Sequence, residues 1–456
     1  MRLGGCMLLC AQYIIPIESD PFPNGALLVR DGKICDMGPT DLLKARYPDE
    51  QCLDYPRAAL MPGLIDLQNH LEYSVLRGML DDVPYAAWMS AVQACAGKLS
   101  ARDWHSSAVL GGLEALTNGI TCIADVSSTG ASCSAMQRLG LRGVVYREVG
   151  AMDRRLVDRA VRRAENDVVR WSESVDPSRI AIGLAPREAH RCHPAVYTKV
   201  AEAARREGVP VSITIGASSE EARFLRFGAS KFSVANMADR YGYVEIPPWL
   251  PSGVSPVRYV LNWGAFEADN VLAAHVSQVE DDDINKLKSY DVAVAVCARC
   301  NAQLGMGVAP LRDFMRSGLR VGLGTGYSAA IDATDMLAEA RIALLIQRAL
   351  NPGRFVTAES MLRLATIEAA RALRMDDRVG SLKPGKLADV IAVDLSGTRQ
   401  VPDTNPASIL GTCSGGDVLM TMVGGDIRYE KDKWNVEVEV ARDVARVIEI
   451  RGKIRE

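Results

Sequence analysis

The sequence contains few histidines, few aromatic residues and no excess of one charge. Its 456 residues include 5 His and 7 Phe, and 53 Lys and Arg balance 56 Asp and Glu for a net charge of −3. Because the two signs are dispersed, no basic stripe indicates a nucleic-acid partner. No apolar run after the first residues approaches the roughly 18 residues that a membrane-spanning helix needs. The composition therefore predicts an ordinary globular protein, with no nucleic acid and no membrane as a partner.

The first 15 residues, MRLGGCMLLCAQYII, have the apolar character of a short secretory or lipoprotein leader. Only Arg2 precedes the apolar run, and Leu9 rather than a small residue stands before Cys10, so a first β-strand is the better interpretation. The 11 cysteines are scattered along the chain, and a chain of this length does not need disulfides for its stability. We therefore expect free thiols and a cytoplasmic protein.

Short apolar segments alternate with helical patterns through the middle of the chain. Parallel strands need long crossover connections, so eight such segments interleaved with helices predict a (β/α)8 barrel. Both ends read as strands and hairpins, with Asp31-Gly32 as a two-residue turn signal. The predicted fold is α/β: a (β/α)8 TIM barrel plus a small composite β-sandwich domain built from both chain ends. The predicted domains are 1–58 and 386–456 for the two parts of the composite domain, the second with a terminal helix, and 59–385 for the barrel.

The segment between the fifth and sixth predicted strands, residues 227–257, is rich in aromatic residues and proline. Loops after the strands of a barrel build its active face. We therefore expect a lid or a pocket wall here, with a surface excursion or a subunit contact as the alternative. The residues that give the segment this character are Phe232, Tyr241, Tyr243, Pro247, Pro248 and Trp249.

Two segments at predicted strand ends carry a family resemblance. Residues 61–79 read MPGLIDLQNHLEYSVLRGM, and residues 322–328 read GLGTGYS. Both resemble metal-binding strand ends of the amidohydrolase superfamily, in its branch of cytosine and guanine deaminases and chlorohydrolases. Later segments, including CARCNAQLG and GSLKPGKLADVIAVD, resemble further blocks of that family in the same order. The resemblance implies a barrel fold and hydrolysis of C–N bonds, other than peptide bonds, in small nitrogen heterocycles.

The resemblance also implies a divalent zinc or iron ion, held by an H-x-H motif, a further His and an Asp. In this sequence the four corresponding positions hold Gln68, His70, Thr214 and Gly326. The proton-transferring Glu of the family corresponds to Ala217, whereas the strand-six His is kept as His275. The sequence therefore predicts a degenerate metal site with no cofactor, and a divalent metal is expected only if this alignment is wrong.

His70 and His275 are the candidate catalytic residues, because histidine titrates near neutrality and can transfer protons without a metal. The alternative is that both are residual, hydrogen-bonded barrel residues. Arg187 is a candidate for binding a substrate carboxylate or phosphate, with an exposed loop arginine as the alternative. The predicted pocket residues are Gln68, Glu72, Arg77, Trp88, Arg187, Thr214 and Tyr327.

Two further clusters have the residue types of redox or metal sites. Cys297 and Cys300 form a C-x-x-C motif, and His190, Cys192 and His193 stand close together in the chain. Neither cluster has partners at the spacing of a known site, so buried thiols and structural roles are the better interpretation.

Three functions follow from these observations. The favoured one is an enzyme that acts on a small nitrogen heterocycle by a metal-free or altered reaction, because the retained histidines and the aromatic segment indicate a maintained pocket. The first alternative is a non-catalytic pseudoenzyme that binds a small molecule or serves as a partner subunit. The second alternative is a conventional metal-dependent C–N hydrolase. A small-molecule substrate or ligand is expected in each case, and the relatives suggest a homodimer.

Overall fold

A computed structural model describes residues 6–228, 232, 251–280, 282–331, 333–402 and 408–455. Their strands form two eight-stranded sheets. In one sheet every strand pairs in parallel with the next, in chain order from β5 to β12. Its strands are β5 (Leu64–Asn69), β6 (Ile120–Ser127), β7 (Arg142–Val149), β8 (Ile180–Pro186), β9 (Val211–Ile215), β10 (Val271–His275), β11 (Ala293–Val296) and β12 (Val321–Leu323). This sheet confirms the predicted (β/α)8 barrel.

Hydrogen bonds from the segment after the last barrel strand to the first barrel strand connect the two ends of this sheet. Gly326 N–H donates to the carbonyl of Gln68 at 2.7 Å, and Thr325 N–H donates to Asp66 Oδ1 at 2.8 Å. The strand residues are almost all buried, because helices cover the outer face of a parallel sheet while side chains fill the interior. These contacts place the segment after β12 directly against the end of β5.

Helices and short 3-10 turns connect the strands. The helices in the first half of the chain are α1 (Thr40–Arg46), α2 (Tyr85–Ala96), α3 (Ala101–Thr117), α4 (Ala131–Leu139), α5 (Val157–Glu173), α6 (Ala195–Glu207) and α7 (Ser219–Phe227). Those in the second half are α8 (Pro256–Asn262), α9 (Asp283–Ser289), α10 (Ala298–Gln303), α11 (Leu311–Ser317), α12 (Met336–Leu350), α13 (Ala358–Leu364), α14 (Ile367–Ala372), α15 (Ile409–Thr412) and α16 (Val440–Arg455). Within the described residues, no helix is both long enough and apolar enough to cross a membrane.

The second sheet joins the two ends of the chain, as predicted for the composite domain. Its central pair brings β4 from the N-terminal half beside β13 from the C-terminal half. Asp31 and Gly32 both have positive φ, as a tight hairpin turn between β2 and β3 requires. The strands are β1 (Met7–Ile14), β2 (Phe22–Arg30), β3 (Lys33–Pro39), β4 (Gln51–Pro62), β13 (Val390–Asp394), β14 (Val418–Val423), β15 (Asp426–Glu430) and β16 (Lys433–Trp434).

A buried ion pair connects the barrel to this second sheet. Arg142, at the start of β7, donates from Nε to Asp389 Oδ2 at 2.8 Å and from Nη2 to Oδ1 at 3.2 Å. The two side chains are only 3% and 2% exposed. The same carboxylate accepts the N–H of Gly424 at 2.7 Å. Asp389 therefore holds both the barrel and the turn between β14 and β15.

Replacing Asp389 by Ala should destabilise the protein by about 3–5 kcal/mol, because it leaves a buried guanidinium without its carboxylate. Urea unfolding measures the change. Glu202→Ala is the control, since the Glu202–Lys199 pair lies on the surface and its loss should leave stability close to that of the wild type. Equal effects of the two substitutions would contradict a structural role for the buried pair.

Candidate functional site

Two histidines and one tyrosine meet at the mouth of the barrel. His70 directly follows β5, His275 ends β10, and Tyr327 follows β12. The Tyr327 ring stacks on His70 with centroids 4.7 Å apart and on His275 with centroids 5.4 Å apart. All three side chains are buried. The two predicted catalytic histidines are thus brought together, and a phenol ring fills the space next to both.

The hydrogen bonds of neighbouring residues fix the position of Tyr327. Thr325 donates from its hydroxyl to Asp66 Oδ2 at 2.6 Å, and Ser328 donates to Asn69 Oδ1 at 2.8 Å. The chain on either side of the tyrosine is therefore bound to β5. The Tyr327 hydroxyl itself donates to Glu188 Oε1 at 3.0 Å.

Each histidine keeps one ring nitrogen without a proton. His275 Nδ1 donates to Asn301 Oδ1 at 2.6 Å, which leaves Nε2 as an acceptor, and Nε2 has no partner among the described residues. Gln68 Nε2 donates to His70 Nε2 at 3.3 Å. Burial is the main cause that lowers the pKa of His70 to about 4, and it also lowers the pKa of His275. Both imidazoles are therefore neutral at pH 7 and able to accept a proton.

His275 lies on a strained backbone. Its φ is 70°, and that of the next residue, Val276, is 45°. Non-glycine residues rarely adopt this left-handed conformation, and such strain tends to occur at functional sites. The strain therefore agrees with a functional position for His275.

The residues at the predicted metal-ligand positions do not form a complete ligand set. A side chain at Gly326 would place its Cβ 2.8 Å from Cys300 Cβ and 2.9 Å from Sγ, and the φ of Gly326 is +82°. An aspartate at this position would therefore require Cys300 to shift. Thr214 is a half-buried residue of β9. Across the described parts of the chain, no group of three or more His, Cys, Asp or Glu side chains is placed to hold a metal ion.

Replacing Gly326 by Ala should destabilise the protein by about 2 kcal/mol or more, because left-handed strain and a steric clash act together. Gly353→Ala separates the two causes, since Gly353 has a φ of +79° but a Cβ at this position would have nothing within 4 Å. Thermal and urea unfolding measure both variants. If Gly326→Ala is no worse than Gly353→Ala, the clash with Cys300 is absent.

A cavity of about 860 Å³ opens beside the barrel mouth. We call it the arginine cavity, because among the described residues that line it there are five arginines and two glutamates, Glu72 and Glu148. Its apolar side includes Tyr73, Trp104 and Phe232. Its arginines are Arg147, Arg159, Arg163, Arg187 and Arg191.

Three of these arginines form ion pairs. Arg187 pairs with Glu148 at 2.7 Å, Arg191 with Glu188 at 2.9 Å and Arg147 with Asp167 at 2.8 Å. Burial alone would raise the pKa of Glu188, but Arg191 and then His190 lower it to about 2. Arg191 and Glu188 are therefore both charged at pH 7, and the three pairs hold the cavity wall in place.

The remaining two arginines have no such partner. Arg159 and Arg163 are exposed residues of α5, four positions apart, so their side chains lie on one face of the helix. No residue in the described part of the chain forms an ion pair with either. They give the cavity an uncompensated positive charge, which suits a carboxylate or a phosphate.

The predicted pocket residues divide into three groups. Trp88 and Gln68 lie at the barrel mouth, with the Trp88 ring 4.9 Å from that of Tyr327. Arg187 and Glu72 line the arginine cavity, and Arg187 contacts a specific partner there rather than lying free in a loop. Arg77 and Thr214 do not line the cavity; Arg77 instead forms two hydrogen bonds with Glu114, at 2.7 and 2.5 Å.

The Glu72 carboxylate is occupied by the loop that precedes α4. It accepts hydrogen bonds from the Ser128 N–H at 3.1 Å, the Thr129 hydroxyl at 2.7 Å and the Ala131 N–H at 3.1 Å. Carboxylates are favourable at the start of a helix because they satisfy free N–H groups. Glu72 therefore shapes the cavity wall.

Several cavity residues were missed by sequence reasoning. Arg147, Arg191 and Glu148 stand at the ends of β7 and β8, and Arg159 and Arg163 stand on α5. The sequence signal for Arg159 and Arg163 was the arginine-rich stretch RRLVDRAVRR at 154–163. Its helical spacing predicts a charged face, but not the cavity that the face borders.

The C-x-x-C motif and the histidine and cysteine cluster at 190–193 consist of buried side chains. Burial raises the pKa of the Cys297 thiol, and it raises that of Cys300 to about 12, so neither is a reactive thiolate. Cys192 donates to the carbonyl of Arg187, and His193 Nδ1 accepts the N–H of Ala195. Their side chains thus serve local contacts.

Most of the predicted lid lies outside the described residues, which omit 229–231 and 233–250. Of the aromatic and proline residues that gave the segment its character, Phe232 is described; it lines the arginine cavity and stacks on His190 with ring centroids 3.9 Å apart.

Comparisons with known proteins agree with this architecture. A model of the amidohydrolase family matches residues 59–428, and a bacterial imidazolonepropionase-like composite domain matches residues 25–49. A 5-methylthioadenosine/S-adenosylhomocysteine deaminase of Symbiobacterium thermophilum is 30% identical over 425 residues, which cover 91% of this chain and 90% of the relative. A deaminase of the same name from Carboxydothermus hydrogenoformans is 27% identical, covering 89% of this chain and 88% of its own.

Solved structures share the fold along almost the whole chain. An adenosine deaminase from Xanthomonas campestris has a TM-score of 0.84 and 24% identity, with 98% of each chain covered. The atrazine chlorohydrolase of Arthrobacter aurescens TC1 has a TM-score of 0.81 and 23% identity, with 98% of this chain and 100% of the other covered.

The prediction that no cofactor is involved is contradicted by these comparisons. The adenosine deaminase structure contains bound zinc, and the chlorohydrolase structure is a complex with zinc. The relatives named here are also enzymes, which gives no support to a pseudoenzyme. A divalent metal is therefore a cofactor to test for directly. His70 and His275 are the imidazoles that the described residues offer at the barrel mouth.

Proposed function

Because this chain belongs to the amidohydrolase family, we propose that it binds a small nitrogen heterocycle of nucleoside size that carries a carboxylate or a phosphate. The arginine cavity is the observation that carries this proposal. Its volume of about 860 Å³ lies within the roughly 300–1,000 Å³ of typical ligand pockets. Its aromatic side suits a flat ring, and its cationic side suits an anionic group.

The chemistry of the relatives supports the same ligand class. Two deaminases that are similar in sequence carry methylthioadenosine and S-adenosylhomocysteine in their names. Both compounds contain a purine nucleoside, but only S-adenosylhomocysteine adds a carboxylate. Arg159 and Arg163 would bind such a group at the mouth of the cavity, where both are exposed and unpaired among the described residues.

Binding should therefore depend on the anionic group. We expect adenosine 5′-monophosphate to bind at least about tenfold more tightly than adenosine, and S-adenosylhomocysteine more tightly than methylthioadenosine, since charge-assisted contacts to arginine contribute about 1.4 kcal/mol or more. Isothermal titration calorimetry at low salt measures all four compounds. The two pairs show whether a phosphate or a carboxylate is preferred.

Arg163→Gln should remove most of this preference. Arg162→Gln is the matched control, because Arg162 is a neighbouring exposed arginine of the same helix that does not line the cavity. Equal binding of the charged and uncharged compounds, or equal effects of the two substitutions, would refute the proposed ligand class.

Hydrolysis of a C–N bond of the bound ligand is a second candidate function. His275 favours it, because Nε2 is a buried acceptor with no partner among the described residues and lies close to Tyr327 and His70. The neutral imidazole would take a proton from an attacking water at Nε2 and then pass that proton to the leaving nitrogen.

Ammonia release tests this candidate. The metal content of the purified protein is measured first, and the assay is then run as purified, with added zinc and after chelation. We expect release of ammonia from a bound purine nucleoside, and its loss in His275→Gln with ligand binding retained. Ligand binding without ammonia release under all three conditions would leave binding as the function.

A further inference from the structure

His190 is a buried side chain whose ring nitrogens form no hydrogen bond within the described structure. It lies in the 3-10 turn Ala189–Arg191 after β8, lines the arginine cavity and is 1% exposed. Neither Nδ1 nor Nε2 has a hydrogen-bond partner among the described residues. Buried polar groups are almost always paired, because leaving one unpaired costs about 1–3 kcal/mol. An unpaired imidazole on a cavity wall therefore calls for a ligand.

Aromatic contacts hold the His190 ring in place. Phe232 stacks on it with centroids 3.9 Å apart and an angle of 19° between the planes. Tyr85 meets it edge-on at 6.3 Å. These contacts fix the orientation of the ring without using either nitrogen, so the ring is already in place when a ligand arrives.

His190 is also held in its neutral form. Burial is the main cause that lowers its pKa to about 4, against the opposing effect of Glu188. A neutral imidazole presents one N–H donor and one bare acceptor nitrogen. The side chain thus differs from the arginines around it, which only donate.

We propose that His190 is a specificity-determining residue of the arginine cavity, and that it selects ligands with a polar nitrogen heterocycle over equally charged ligands with an apolar ring. This inference rests on the proposed ligand site. One ring nitrogen of His190 forms a hydrogen bond with a ring nitrogen or an amino group of the heterocycle, while Arg159 and Arg163 hold the anionic group. An apolar ring leaves the imidazole unpaired, so it gains nothing from His190.

The test compares two phosphate monoesters that differ in their ring. Adenosine 5′-monophosphate presents a purine, and phenyl phosphate presents a benzene ring. His190→Phe keeps an aromatic ring to stack on Phe232 but removes both nitrogens. We expect this variant to bind adenosine 5′-monophosphate at least about tenfold more weakly and phenyl phosphate with unchanged or higher affinity.

Two further variants separate recognition from structure. His190→Gln restores a donor and an acceptor and should regain part of the purine preference, also if the Phe variant fails to fold. His105→Gln is the control, since His105 contacts Arg138 on the outside of the barrel and should bind both compounds like the wild type. The unfolding midpoint of a folded His190→Phe should not fall, because the substitution removes two unpaired polar atoms.

The outcomes distinguish this inference from the function on which it rests. Weak binding of both compounds by the wild type would overturn the proposed ligand site and the role of His190 with it. Tight binding by the wild type, with equal losses for the two compounds or no loss in His190→Phe, would overturn the role of His190 alone. A His190→Gln variant without any purine preference would overturn it as well.

Discussion

The stacking of Tyr327 on His70 and His275 is the contact on which the arrangement of the barrel mouth depends. Bonds from Thr325 to Asp66 and from Ser328 to Asn69 hold the tyrosine there. The ring occupies the space next to both imidazoles, at centroid distances of 4.7 and 5.4 Å. The space for the proposed ligand of nucleoside size therefore lies beside the barrel axis, in the arginine cavity.

The division of charge in that cavity follows from the cost of burying ions. A buried arginine needs a carboxylate, since an unpaired charge away from water is strongly unfavourable. Arg191 accordingly pairs with Glu188, whereas Arg159 and Arg163 lie exposed at the edge and remain hydrated. The buried pairs make the wall rigid, and the exposed arginines carry the charge that a ligand meets. Rigid walls with free charge at the entrance are the properties of a preorganised anion site.

The sequence predicted the barrel well because most of its strands are short, largely apolar segments between helical patterns. Residues 271–275, for example, are β10 itself, and the Asp31-Gly32 signal is the turn between β2 and β3. The predicted strand ends also indicated His70 and His275 as candidate site residues, since side chains that follow parallel strands meet at one end of a barrel. The arginine cavity was not predictable in this way. Its walls include residues of β7, α2 and α5 and of the segment after β8, and helical spacing alone does not show which face of α5 borders a cavity.

Two other features were not predicted correctly from the sequence, and each has an identifiable reason. Glu72 lines the arginine cavity, but its carboxylate is bound by the loop before α4, an interaction between segments 55–59 positions apart. The cofactor prediction was wrong because it inferred the cofactor from the residue types at four aligned positions. Zinc in solved structures of the same fold contradicts it.

A crystal structure of the protein grown with adenosine 5′-monophosphate and zinc would test the central claim most directly. We predict that the phosphate contacts Arg159 and Arg163 in the arginine cavity, with Tyr327 still stacked on both histidines. A structure in which the phosphate contacts neither Arg159 nor Arg163 and the ligand lies outside the arginine cavity would contradict this account.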